Sequence, residues 1–311
     1  MATLIFSIIC AATFGYASQR GGFCVTSAVT AVMENRSGRL FLSFLRCSLW
    51  AALSITLMFW VGAGAVPMAS YPPTFWSVAG GVLFGAGAAI NGGCTFGTLN
   101  RLAAGNLSFL VSILGMLFGA WASHELPIPG IIPLASGTSI LVEPSRESVL
   151  LLALISVGCL RELALIWRKS GRERGTPEQA AVVLGVCGGL LYALDETWAY
   201  PLNLDRLAEA LKSAQARDIA LCAVSVAALA GAAICAWQDG KFQLRLPWRP
   251  IPRRLFGGVA MGIGTTLIPG GNGTLLLQWL PALSPHAPIA YAALVFGAAA
   301  SLGCFRSLRK P

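Results

Sequence analysis

The chain has 311 residues, of which 56% are hydrophobic and only 11% charged, and its 22 basic and 13 acidic side chains leave a formal charge of +9. A soluble domain carries about 25% charged residues, so this chain cannot cover a water-facing surface and its outside belongs in lipid. The basic residues are spread over short loops, which excludes nucleic acid as their partner. No phosphate loop, Ser-His-Asp arrangement, CxxC or HxxxH spacing occurs, so neither a metal nor another cofactor is expected.

In chain order, nine apolar stretches are expected to be spanning helices, at about 2–17, 40–66, 75–90, 107–124, 148–167, 179–194, 217–237, 255–268 and 286–305. The first begins MATLIFSIIC, without the basic n-region of a cleaved signal peptide. The first, third, sixth and eighth are short. Each is followed by a segment too apolar for an aqueous loop and too short to cross, at about 20–34, 92–105, 196–211 and 269–283. These four segments read as half-helices that dip into the membrane and return, a conformation tolerated only where protein buries it or it lines a wet cavity. The fold class expected is therefore an all-α integral membrane protein with about nine spans and four dipping half-helices.

The charges orient it. With the N-terminus outside, one side receives every basic residue except Arg146, Arg206, Lys212 and Arg217, and the other side most of the acids. That is the positive-inside pattern, and it puts the C-terminus in the cytoplasm of a bacterial inner membrane. The acids of the fourth dip (Asp195, Glu196, Asp205, Glu209) read as a solvated outer surface, and the lone His124 and His286 as interfacial.

An internal repeat underlies the pattern. Gly80–Ser123 matches Gly257–Ser301 at an offset of 177, then 178 after a shift near Pro269, sharing Gly85/Gly262, Gly87/Gly264, Phe118/Phe296, Gly119/Gly297 and Ser123/Ser301. Five spans separate the two starts, so the second half should be inverted. We divide the chain at 1–168 and 169–311 into two inverted repeats of one membrane domain. Interrupted helices in inverted repeats hold a solute near the midplane, where the halves meet.

Two segments carry candidate chemistry, QRGGFCVTSA (Gln19–Ala28) and NGGCTFGTLNRLAAGN (Asn91–Asn106). Gly22 and Gly93 permit a tight turn and a close approach, and Cys24 and Cys94 then fall at the first turns of half-helices that point at each other. Such a helix start leaves unpaired amides and a positive dipole end, where an anion is favoured. A thiol there is a weak donor to an anion or a sulfur atom, and Thr26 and Thr95 add hydroxyls. In the second half, PGGNGTLLLQWLP aligns Asn272 with Cys94 and offers an amide toward the outer entrance. Arg20 and Arg101 lie beside the cysteine loops, either to attract an anion or to anchor the loops at the headgroups. The other seven cysteines read as small apolar packing residues.

At these residues the chain resembles the YeeE/YedE family of bacterial sulfur transporters, over nearly its whole length. The resemblance implies nine spans and four short helices around a central constriction. It also implies that a small inorganic sulfur anion, thiosulfate among them, passes membrane-embedded cysteines through S–H contacts rather than covalent steps. Carried over, those thiols are Cys24 and Cys94. Thiosulfate-transporting relatives have a third cysteine in the second half, where this chain has Asn272. The expected function is uptake of such an anion by a non-enzymatic transporter in contact with membrane lipid, with a cytoplasmic sulfur-carrier protein as a possible partner. The alternatives are a transporter of a different small anion such as sulfite, a membrane sulfur transferase carrying persulfide, and a scaffolding subunit.

Overall fold

A computed structural model of the chain describes residues 2–64, 69–125, 137–141, 144–169, 176–195, 198 and 216–307. Its helices, in order, are α1 (Ala2–Gly21), α2 (Val25–Asn35), α3 (Arg39–Trp60), α4 (Phe75–Asn91), α5 (Thr95–Ala103), α6 (Phe109–Glu125), α7 (Arg146–Lys169), α8 (Pro177–Leu194), α9 (Ala216–Gln238) and α10 (Ile251–Leu267). Then come α11, which opens at Asn272–Thr274 and continues with π geometry over Leu275–Trp279, and α12 (His286–Ser307). Strands β1 (Ala69–Ser70) and β2 (Gly137–Thr138) pair antiparallel in the connections after α3 and α6.

Local sequence sets the helix ends. Thr74 and Ser77 close a reciprocal capping box on α4, and Thr176 with Gln179 closes another on α8, where Pro177 occupies the first turn without losing a bond. Gly92 ends α4 at φ 82°, a left-handed conformation that a Cβ disfavours.

Each of the nine apolar stretches expected from the sequence contains a helix. By length and hydropathy six segments suffice to cross a bilayer, with α1–α2 and α4–α5 each counted as one broken segment. The helices α6 and α9 supply shorter apolar runs, and α10 has 17 residues, about 25 Å. α10 ends early because the chain turns into α11 beside it. Three of the four expected dips are α2, α5 and α11; the fourth, at 196–211, lies outside the described residues apart from Trp198.

The packing is organised in two groups. In one, α4 lies between α10 and α12, and α6 packs on α10; in the other, α1 lies between α8 and α9, and α3 packs on α8. Small residues let these backbones touch. A Cβ at Gly85 would stand 2.0 Å from the Leu294 carbonyl oxygen, and one at Gly262 would stand 2.1 Å from that of Met116. Likewise Gly81 faces the Ala290 carbonyl and Gly258 that of Ser112, while Gly119 faces Val259 and Gly297 faces Val82. Each of these contacts maps onto its counterpart under the offset read from the sequence. Gly80 meets Gly264 and Gly87 meets Gly257, so α4 and α10 run antiparallel.

Candidate functional site

The site lies where three half-helices start. Cys24 and Cys94 occupy the residues before α2 and α5, both in extended conformation, and neither side chain caps its own helix. The thiols instead reach across. The Val25 amide donates to Cys94 Sγ at 3.3 Å, the two sulfurs are 3.8 Å apart, and Cys24 Sγ is 2.9 Å from Thr26 Oγ1. Cys24 is 4% exposed and Cys94 fully buried. Gly97 makes room, because a Cβ there would stand 2.5 Å from Cys24 Sγ.

From the second half, Asn272 Nδ2 approaches Cys94 Sγ at 3.7 Å. Asn272 is fully buried, so the expectation that it marks the outer entrance is corrected. It sits against the central thiols because α11 starts as deep as α5, with Gly271 against Thr95 and Gly273 against the Phe96 ring. From this meeting point the helices leave in opposite directions. The end of α2 pairs Glu34 with Arg306 at 2.5 Å, and the residues after α5 bond to Gln243 and Arg245, all on the face with the basic loops. Trp279, by contrast, ends α11 against Tyr71 and His286 on the other face. The wider π turn leaves the Leu276 carbonyl to accept from Ser48 Oγ at 2.6 Å.

Two asparagines fix the loops. Asn100 Nδ2 donates to the carbonyls of Ser18 (3.1 Å) and Phe23 (3.3 Å), while Ser18 Oγ donates to Asn100 Oδ1, tying α5 to the first cysteine loop. Asn91 Nδ2 donates to Gly93 O (2.7 Å) and Thr98 Oγ1 (3.0 Å), and Ser112 holds its Oδ1. These buried bonds set both loops from inside the protein.

A cavity is lined by the threonine beside each thiol. On the basic face one of about 330 Å³ is lined by Thr26, Ser27, Thr30, Glu34, Gly92 and Arg101. Another, of about 40 Å³, is lined by Thr95, Thr274 and the rings of Phe14, Phe96, Tyr192 and Trp198. Thr26, whose hydroxyl meets Cys24 Sγ, lines the first, and Thr95, next to Cys94, lines the second.

A family model for sulphur transport (Sulf_transp) matches residues 20–300. The chain belongs to this family. That range takes in both cysteine loops and the Asn272 loop. The thiosulfate transporter TsuA of Escherichia coli (strain K12) is 26% identical over 112 residues, 35% of this chain. The match covers 31% of that relative's own length.

Among the residues singled out from the sequence of this sulfur-transport family member, Cys24, Cys94, Thr26, Thr95 and Asn272 come together, with Gly22 (φ 63°) turning the first loop; the second is turned by Gly92 (φ 82°), and Gly93 follows it. Arg20 does not join them, because its guanidinium pairs with Asp239. Arg101 donates to the Gly92 carbonyl and lines the open cavity. His286 is buried, bonded to Ser284 at 2.9 Å and boxed by Tyr71 and Trp279, rather than interfacial, because the connection before α12 folds inward; the His124 side chain lies outside the described residues, as do Glu196, Asp205 and Glu209. Of the other seven cysteines, Cys10, Cys47, Cys159 and Cys235 are buried, Cys187 and Cys222 half-buried, and Cys304 exposed. Sequence reasoning missed Arg254, which is 8% exposed, stacks 3.4 Å from the Phe109 ring centre and donates to Asn91 O at 3.2 Å. An arginine pair inside an apolar run (Arg253, Arg254) was the available signal. It also missed Asn91, the last residue of α4, and Asn100 within α5.

Proposed function

We propose that the chain is a transporter that passes a small sulfur-containing anion, thiosulfate foremost, between Cys94 and Cys24 and across a bacterial inner membrane. The observation that carries this reading is a buried meeting of three half-helix starts at two thiols and an amide, with one cavity lined by Thr26 and another by Thr95. Anions are stabilised at such starts by unpaired amides and dipoles, and thiols are weak donors that hold a soft sulfur atom without trapping it. The amides at the starts of α2 and α5, beside Cys24 and Cys94, with Thr26 and Thr95 next to them, form the binding set; Gly22 and Gly93 keep the backbone open to it, and Asn272 completes it from the second half. Arg101 draws the anion toward the basic cavity, while Arg20 serves as an anchor.

In this reading the nine helices all cross, residues 1–168 and 169–311 form the two halves, and the basic face is cytoplasmic together with the C-terminus. Passage needs no covalent step, so the protein is a transporter and not an enzyme. A cytoplasmic sulfur-carrier protein would meet the solute at the basic face. The test is uptake of radiolabelled thiosulfate by cells lacking their own importers, comparing the wild type with Cys24→Ala and Cys94→Ala. Uptake that falls in both variants supports the reading. A wild type that is well inserted and takes up no thiosulfate overturns the choice of substrate.

A further inference from the structure

Two polar groups of the second half are buried without a full set of partners among the described residues. One is the hydroxyl of Tyr291, which has none. Tyr291 lies on α12, where its half-buried ring packs on the central core and its hydroxyl is within electrostatic reach of the Cys94 and Cys47 thiols. The other is the amide of Asn272, whose Nδ2 approaches Cys94 while Oδ1 has no donor. A phenol is not required for packing at position 291, because the repeat-equivalent position is occupied by Ile113. A buried O–H left unbonded destabilises the empty protein, so its retention points to a partner that comes and goes.

The chemistry of these groups selects that partner. The Tyr291 hydroxyl donates one hydrogen bond. The Asn272 Nδ2 directs one hydrogen toward Cys94 Sγ and has a second to give. Donors then face the site from the second half and soft thiols from the first. We propose that Tyr291 and Asn272 bind the oxygen end of a sulfur oxyanion while its terminal sulfur rests on Cys94 and Cys24. The constriction would thereby read both ends of a thiosulfonate-like anion. Hydrogen sulfide, which has no oxygen end, gains nothing from this pair. The inference rests on the proposed transport of a sulfur anion and names the class of that anion more narrowly.

Tyr291→Phe removes one oxygen atom and nothing else. The thiosulfate concentration giving half-maximal uptake should rise about tenfold, the size expected for one hydrogen bond to a charged group. The melting temperature of the purified, empty variant should equal or exceed that of the wild type, and its stabilisation by added thiosulfate should shrink. Sulfide should stabilise both proteins equally. A variant that transports like the wild type overturns the inference. So does one that loses uptake only in step with a lowered melting temperature, since that is how a merely structural hydroxyl behaves. If thiosulfate and sulfite both fail to stabilise the wild type, the transport reading itself falls and takes this inference with it; the wild-type arm alone identifies that case.

Discussion

The backbone amide of Val25 donates to the Cys94 thiol at 3.3 Å, joining two loops that lie 69 residues apart in the chain. The first N–H of one half-helix is thereby satisfied by the residue that starts another. Replacing Cys94 by Ala leaves that amide buried and unbonded, which costs about 1–3 kcal/mol, whereas Ser keeps an acceptor there. Thermal unfolding should therefore separate Cys94→Ala from Cys94→Ser, with Ala the less stable, while uptake drops in both because neither offers sulfur. Equal melting temperatures would mean that the amide does not depend on the thiol.

Gly97 gives a sharper test of the Cys24 position. A Cβ on residue 97 would stand 2.5 Å from Cys24 Sγ and 3.3 Å from its Cβ, so Gly97→Ala must push the thiol aside. Helix propensity favours Ala over Gly by about 1 kcal/mol, so α5 itself should tolerate the change. The expected outcome is a well-inserted protein whose uptake falls at least as far as that of Cys24→Ala. Normal uptake would show that the exact place of Cys24 is unimportant.

How far the sequence anticipated this arrangement can be judged residue by residue. Composition and the spacing of apolar runs were enough for the all-α membrane class, because lipid imposes helices on any such chain. The glycine-cysteine loops were legible because Gly22, Gly93 and Cys24 interrupt apolar runs at helix starts. The depth of Asn272 was not, since the one-residue shift near Pro269 fixes the alignment but not how far α11 penetrates. The fate of Arg20 was likewise hidden, because its partner Asp239 lies 219 residues away. Tyr291 carried no signal at all: a tyrosine in an apolar helix is ordinary, and only its unbonded hydroxyl distinguishes it.

Arg20 is expected to be dispensable for the solute. It pairs with Asp239, a carboxylate that also accepts from Lys241 at 2.9 Å. The hydrogen bond from Lys241 holds the Asp239 carboxyl below its ordinary range, with the charges of Lys241 and Arg20 adding to this and burial working against it. A depressed carboxyl contributes stability above its unfolded pKa and loses it only as pH falls through the folded value. This cluster should therefore stay intact at every pH above the normal carboxylate range. Arg20→Ala should lower the melting temperature slightly and leave half-maximal uptake unchanged between neutral and mildly acidic pH. A raised half-maximal concentration would return Arg20 to the solute path.

The exchange of contacts between the two halves yields a matched pair of variants. Gly85 lies under the Leu294 carbonyl and Gly262 under the Met116 carbonyl, with almost the same clearance, 2.0 and 2.1 Å for an added Cβ. Both obstacles are backbone atoms of a packed helix, α12 in one case and α6 in the other, so neither can swing away as a side chain would. Overpacking of this kind costs about 1–3 kcal/mol, and more when backbones must separate. Gly85→Ala and Gly262→Ala should therefore depress the melting temperature by similar amounts. Gly38→Ala, which meets open space just before α3, should leave it nearly unchanged. A large drop for Gly85→Ala beside a negligible one for Gly262→Ala would mean that the resemblance between the halves does not extend to their packing.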